Sequence, residues 1–330
     1  MTPISILDLV RVTEATDATG ALYNARDVAQ HAEQWGYNRI WVAEHHNLAG
    51  IASAATSVVI GHIAAGTSRI RVGAGGIMLP NHAPYIIAEQ FGTLDRLFPG
   101  RIDLGLGRAP GTDQMTLRAL RRDPGSSDNF PQDVLELQAF LAPPQPDQRI
   151  VAIPAAGTEV PLWILGSSNF GAMLAGELGL PYAFASHFAP DYLLPAMELY
   201  RSRFKPSEQL AKPYAMVGVN VIAADTDEEA RRLATTQQMS FTNLVRGTRG
   251  LSKPPIDDIE TYWSPMEKAQ AGRMLARSIY GSPETVRAGL EALVKETGAD
   301  ELIVVSDVFD HQARLRSFDL IAEAAGIKPV

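Results

Sequence analysis

Four short runs carry the side chains best suited to chemistry. Glu44-His45-His46 closes a β-rich segment. Histidine titrates near neutral pH, so it suits general acid or base work. Neighbouring residues on a strand point to opposite faces, so both rings cannot reach one metal without a bend. H-E-x-x-H spacing is absent, and no metal site is expected. A structural and a catalytic role for the His pair both stand on sequence alone. The run from Gly105 to Gly111 (GLGRAPG) has the outline of a G-x-G-x-x-G dinucleotide loop, but Pro110 takes the third glycine's place. No clear acidic ribose ligand follows a second βαβ strand about 20 residues on. A tight turn accounts for the glycines, and Arg108 remains as an always-charged fork at a strand end. Gly166-Ser167-Ser168-Asn169 joins a strand to a helix, where free amides and hydroxyls either bind an anion such as phosphate or simply cap the helix. Gly73, Gly75 and Gly76 lie inside a strand, which points to a bulge, a close approach of backbone to ligand, or packing against a bulky neighbour.

The elements that must position these groups alternate. β-rich runs occur at 4–9 (ISILDL), 39–43, 69–79, 101–107, 162–165, 180–185, 214–223 and 301–305. Helical spacing of apolar residues fills 21–35, 52–65, 83–97, 132–141, 170–178, 191–204 and 312–325. Gly36 is placed as a C-cap, Pro84 in a first turn, Thr226 with Glu229 as a capping box, and Ser282-Pro283-Glu284 at a further helix start. Five prolines between 143 and 161 mark an excursion or an edge hairpin. Residues 241–273 break the rhythm and are expected to form a lid insertion. Eight Ile/Val/Leu-rich runs, nearly all followed by helices, predict a (β/α)8 TIM barrel in one domain over 1–330. A doubly wound sheet is the structural rival.

Composition narrows the function classes. The 330 residues carry 29 Lys+Arg against 37 Asp+Glu, a formal charge of −8, which disfavours nucleic acid or an anionic membrane as partner. At 46% hydrophobic and 20% charged residues the chain can bury a large core. The absence of cysteine removes disulfides, thiolate metal sites and thiol nucleophiles, and fits a reducing, cytoplasmic setting. Neither a signal peptide nor a membrane span is expected.

Together, several runs resemble the bacterial luciferase-like flavin monooxygenases. They are Trp41 to His46, Gly73 to Pro80 with His82 and Pro84, Gln90, Leu94-Asp95, Gly100-Arg101, Leu104 to Arg108, Pro161 to Ser168, and Gly281 to Glu284. The likeness covers most of the chain and is poorest over 241–273. It implies a barrel that binds reduced FMN at the strand C-termini and uses O2 to oxygenate a small organic substrate. A separate flavin reductase would supply the cofactor. The resemblance makes His45 the catalytic group that handles protons beside the flavin. It makes Gly75 and Gly76 a cis-linked pair under the ring. It places Arg108, Gly166, Ser167 and Ser168 around the phosphate. Light emission is not implied, because position 107 is glycine where the luciferase has its reactive cysteine. A homodimer through helices near the second and third strands is also implied. Two further functions stay open: deazaflavin-dependent hydride transfer and non-catalytic flavin binding.

Overall fold

The computed structural model describes residues 2–109, 113–248 and 250–329. Its strands are β1 (Ile4–Asp8), β2 (Arg39–Val42), β3 (Arg71–Met78), β4 (Ile102–Gly107), β5 (Leu162–Gly166), β6 (Tyr182–Phe184), β7 (Ala215–Ala223), β8 (Ile279–Gly281) and β9 (Glu301–Val305). Its helices are α1 (Ala18–Trp35), α2 (Thr56–Ala64), α3 (Pro84–Leu97), α4 (Gln114–Ala119), α5 (Phe130–Leu141), α6 (Asn169–Leu178), α7 (Leu193–Arg203), α8 (Asp227–Arg246), α9 (Pro265–Met274), α10 (Pro283–Thr297) and α11 (His311–Ala325).

All strand pairs are parallel, and the β6–β7 and β1–β9 pairings close β1 to β7 and β9 into an eight-stranded (β/α)8 barrel. The strands are buried on both faces because helices cover the outside, which is why they read as apolar runs and not as alternation. The ninth strand, β8, was not foreseen; it pairs only with the end of β7, at Val221 to Ala223, and stands outside the barrel.

Local signals set several boundaries. The Asp17 side chain caps α1 by accepting from Gly20 N, and Gly36 ends it at φ 90°. Pro84 opens α3. At Thr226 only half of the expected capping box forms, its hydroxyl accepting from Glu229 N; the reciprocal box belongs to Ser264 and Glu267 at the start of α9. Residues 143–161 form no hairpin: they run as coil with Ala155 pressed into Gly92 of α3. The 241–273 segment is also more regular than its sequence suggests. Phe241 to Arg246 complete α8, and Phe241 packs on Ala271 and Leu275 from the α9 end, so the irregular part begins only after Gly247. Mixed polar and small residues on α8 hid its last turns.

The barrel floor is ionic. Buried Arg39 donates from Nε and Nη2 to both Glu301 oxygens, at 2.9 and 3.1 Å, and from Nη1 to Asp103 Oδ2 at 2.7 Å. Arg71 donates to Asp103 Oδ1, Tyr214 and Asn38 to Glu301, and Trp41 Nε1 to Asp103 at 3.1 Å. Ser5 also bonds Glu301. Above this layer lie Leu7, Trp41, Trp163 and Ile303.

Glycine is required where strands nearly touch. A Cβ on Gly73 would come within 2.5 Å of Asp103 O, and one on Gly105 within 2.3 Å of Ala74 O. The β3–β4 register shifts between Ala74 and Ile77, so these glycines serve both a bulge and close packing. Gly105→Ala is expected to destabilise the barrel by about 1–3 kcal/mol or more through overpacking. Gly272→Ala, facing open space on α9, is expected to stabilise it by ~0.5–1 kcal/mol. Urea unfolding of the two variants checks the contrast; equal effects would remove the steric account of the strand glycines.

Candidate active site

At the C-terminal ends of the strands, where barrels place their ligand groups, a cavity of about 720 Å³ opens. Trp41, Leu7 and Ile303 form part of its base. All seven residues singled out from the sequence reach it: His45, Gly75, Gly76, Arg108, Gly166, Ser167 and Ser168. The Gly75–Gly76 peptide is cis. Without side chains the pair offers flat backbone to the cavity, seated on Leu7 and Trp41 below and on Gly105 beside.

Arg108 follows β4, and its guanidinium lies 4.2 Å from the centre of the Phe170 ring. Its Nε donates to Ser127 O at 3.3 Å, and Asp128 is 3.8 Å from Nη2 and largely exposed. Opposite, Ser168 precedes α6 in extended geometry without capping it through its side chain. The first amides of α6 and the hydroxyls of Ser167 and Ser168 therefore line the same end of the cavity as a cation, a donor set that fits phosphate. Pro110 and Gly111, the rest of the GLGRAPG run, lie outside the described residues.

The His pair divides as strand geometry requires. His45 lines the cavity, whereas His46 turns to Glu44. Glu44 is buried and holds the β2 and β3 ends together. It accepts from His46 Nε2 at 2.6 Å, His82 Nε2 at 2.8 Å and Met78 N at 3.0 Å. Burial alone would raise its pKa, but the hydrogen bonds of His46 and His82, the His82 charge and the Met78 amide bring it to about 2. The Glu44 bond raises the His46 pKa against the opposing effect of burial. Ligand atoms of Glu44, His46 and His82 lie within 4.8 Å of one another, close enough to hold a metal, yet they already satisfy each other by hydrogen bonding.

His187, just past β6, was missed. Its Nδ1 is buried against Gly218, where a Cβ would approach to 2.6 Å, and it makes no hydrogen bond. Burial and the nearby His45 push its pKa down to about 3, so the ring is neutral. With no acceptor at Nδ1, the tautomer protonated on Nε2 avoids an unpaired buried donor. The position at a barrel strand's C-terminus was the available signal. Asn220 and Gln237, joined at 3.0 Å, also line the cavity.

The fold and site thus combine a (β/α)8 barrel with a cavity lined at one end by Arg108 and the Ser167-Ser168 loop and, beside them, by two imidazoles. A family model for luciferase-like monooxygenases matches residues 2–301, and the chain belongs to that family. It is 53% identical to a luciferase-like monooxygenase of Escherichia coli over 317 residues, covering 96% of this chain and 95% of that protein. It is 30% identical to the N-acetyl-S-alkylcysteine monooxygenase of Bacillus subtilis, covering 98% of both. The structure of apo-MsnO8 matches with a TM-score of 0.89 at 34% identity over the whole of both chains. Two solved structures at 18% and 17% identity share the fold alone. One is the oxygenating constituent of 3,6-diketocamphane monooxygenase with FMN, at TM-score 0.74 over 99% of each chain. The other is an F420-dependent secondary alcohol dehydrogenase, at 0.70 over 98% of each. Among the described residues no helix is long and apolar enough to cross a membrane.

Glu44→Gln is expected to cost about 3–5 kcal/mol at pH 7, because it strips the buried partner from two imidazoles. A carboxylate with a depressed pKa contributes stability above its unfolded value near ~4.3 and loses it as pH falls toward the folded value. The difference between wild type and variant should therefore shrink between about pH 4.5 and 2. Urea midpoints across that range measure it; a constant difference would refute the charged state of Glu44.

Proposed function

We propose that this protein is a flavin-dependent monooxygenase that binds reduced FMN, delivered by a separate reductase, and uses O2 to oxygenate a small organic substrate. The observation that carries the reading is the convergence of the phosphate-type donor set, the Gly75–Gly76 platform and His45 on one cavity. Family membership supports it.

Arg108, the α6 amides, Ser167 and Ser168 would hold the FMN phosphate, with Gly166 allowing close approach. Gly75 and Gly76 would lie under the ring. The bound flavin supplies the redox chemistry with O2. His45 would hold or move a proton at its ring nitrogen next to the reacting atoms. His187, kept neutral, acts as a hydrogen-bond group and not as an acid. The 241–273 segment serves as the lid: Phe241, Leu244, Gly250 and Leu251 reach the cavity, and Ser252 N donates to Val12 O at 3.1 Å, closing it over the β1 end. A homodimer across α2, which leaves Val58 71% exposed, and a cytoplasmic location complete the reading.

His45→Ala is expected to lower coupled oxygenation by about 10²- to 10⁴-fold, the usual reach of acid–base catalysis, with FMN affinity within twofold of wild type. Arg108→Gln is expected to weaken reduced FMN by about 10- to 150-fold, a charged hydrogen bond's share, and to leave riboflavin binding unchanged. Anaerobic titration followed by admission of oxygen reads both. Tighter binding of deazaflavin than of FMN, with no oxygen reaction, would favour hydride transfer instead; tight binding of oxidised FMN alone would favour a non-catalytic binder.

A further inference from the structure

Opposite the phosphate clamp stands a second cation that the reading above does not use. In the strand order, β4 and β5 lie across the barrel from β9 and β1. Arg108 and Ser167 leave the first pair; Arg11 and Asp307 follow the second. Arg11 lines the cavity, and its side chain is 23% exposed, whereas that of Asp307 is 3% exposed. Arg11 Nε lies 3.2 Å from Asp307 Oδ2, yet the pair is out of line and neither atom makes a hydrogen bond. The buried carboxylate thus holds the cation by charge, and among the described residues Arg11 Nε is left without a hydrogen-bond partner. Donors this close to a dry wall are costly to leave without a partner.

The backbone keeps Arg11 in place. Residues 11–13 run between two other segments: Val12 N donates to Gly50 O and Ala52 N to Val10 O, each at 3.0 Å, and Ser252 N donates to Val12 O. This arrangement pairs Arg11 with Ile51, while Leu48, Leu251 and Val305 also lie on the cavity wall. A planar cationic fork paired with Ile51, in a cavity whose wall also carries Leu48, Leu251 and Val305, matches one ligand chemistry: a carboxylate on an apolar body.

We propose that Arg11 is the specificity-determining residue of a carboxylate subsite, and that the substrate is an amphipathic organic acid. Its acid group sits on Arg11 and its apolar body extends toward His45 and the Gly75–Gly76 platform. This rests on the flavin reading for what happens to the substrate, but the subsite itself is read by binding alone.

The test uses the full-length protein loaded anaerobically with reduced FMN. Octanoate, 4-phenylbutyrate and N-acetyl-S-benzyl-L-cysteine are each titrated beside their primary amides by calorimetry at neutral pH. At least one acid should bind more than tenfold tighter than its amide. Arg11→Gln should erase that preference and leave reduced-FMN affinity within twofold. Arg11→Lys, a point charge without the fork, should retain part of it. Because Arg11→Gln leaves Asp307 buried and unbalanced, the double variant R11Q/D307N removes both charges and must show the same loss in a protein that melts cooperatively. The proposal is overturned if no acid is preferred to its amide, if the variants weaken acid and amide equally, or if the loss falls on FMN alone. It is also overturned if octane-1-sulfonate binds more than tenfold tighter than octanoate. If the acid preference holds but no oxygenation follows admission of O2, the subsite stands and the flavin reading fails.

Discussion

The site depends on the buried charge layer beneath it. Arg39 bridges Glu301 and Asp103, Arg71 shares Asp103, and the two cations balance the two carboxylates. One side chain from β2 thereby ties together strands β4 and β9, while Trp41, two residues further along β2, is fixed by its own bond to Asp103. Removing one partner of such a buried network costs about 3–5 kcal/mol, because the remaining charges have no water to turn to. Trp41 in turn packs edge-on against Trp163 at 5.1 Å and seats Gly75. The cavity floor is therefore as rigid as the ionic layer that carries it.

Rigid strands and a polar rim divide the labour above that floor. β4 and β5 deliver Arg108 and the Gly166-Ser167-Ser168 loop, β2 delivers His45, and β3 delivers bare backbone. Glu44 fixes the rim from behind: it draws His46 and His82 away from the cavity and leaves His45 facing it. Its low pKa keeps that clamp charged through the range in which imidazoles titrate. The opposite side of the mouth is built differently, from extended loop segments that pair with each other across Val12, Gly50 and Ser252. On the proposed reading, chemistry would sit on strand ends and substrate selection on loops, a division the barrel makes cheap, since loops can change without disturbing the core.

Much of this was legible in the sequence. Ile-, Val- and Leu-rich runs marked the barrel strands; Arg108, Gly166, Ser167 and Ser168 stand at or just past the ends of theirs, and Gly75 and Gly76 lie inside the third. Two kinds of feature stayed hidden. Long-range pairs such as Arg39 with Asp103 and Glu301 leave no local pattern, because residues 64 and 262 positions apart meet only when the barrel closes. His187 and Arg11 follow strands without a repeated motif, so their value comes from Gly218 and Asp307, which the fold brings beside them. Periodicity also failed where helices are polar: the end of α8 looked like loop because Thr242, Asn243 and Arg246 interrupt its apolar face.

The central claim is that one cavity orients a flavin by its two unlike ends, with the phosphate at β4 and β5 and the ring over Gly75–Gly76. A crystal structure of the protein with reduced FMN, grown and cooled without oxygen, tests it directly. The account predicts phosphate oxygens within hydrogen-bond reach of Arg108 and the first amides of α6, and the ring plane against the Gly75–Gly76 backbone with His45 at its edge. A flavin bound with its phosphate on Arg11, or bound outside this cavity, would contradict it.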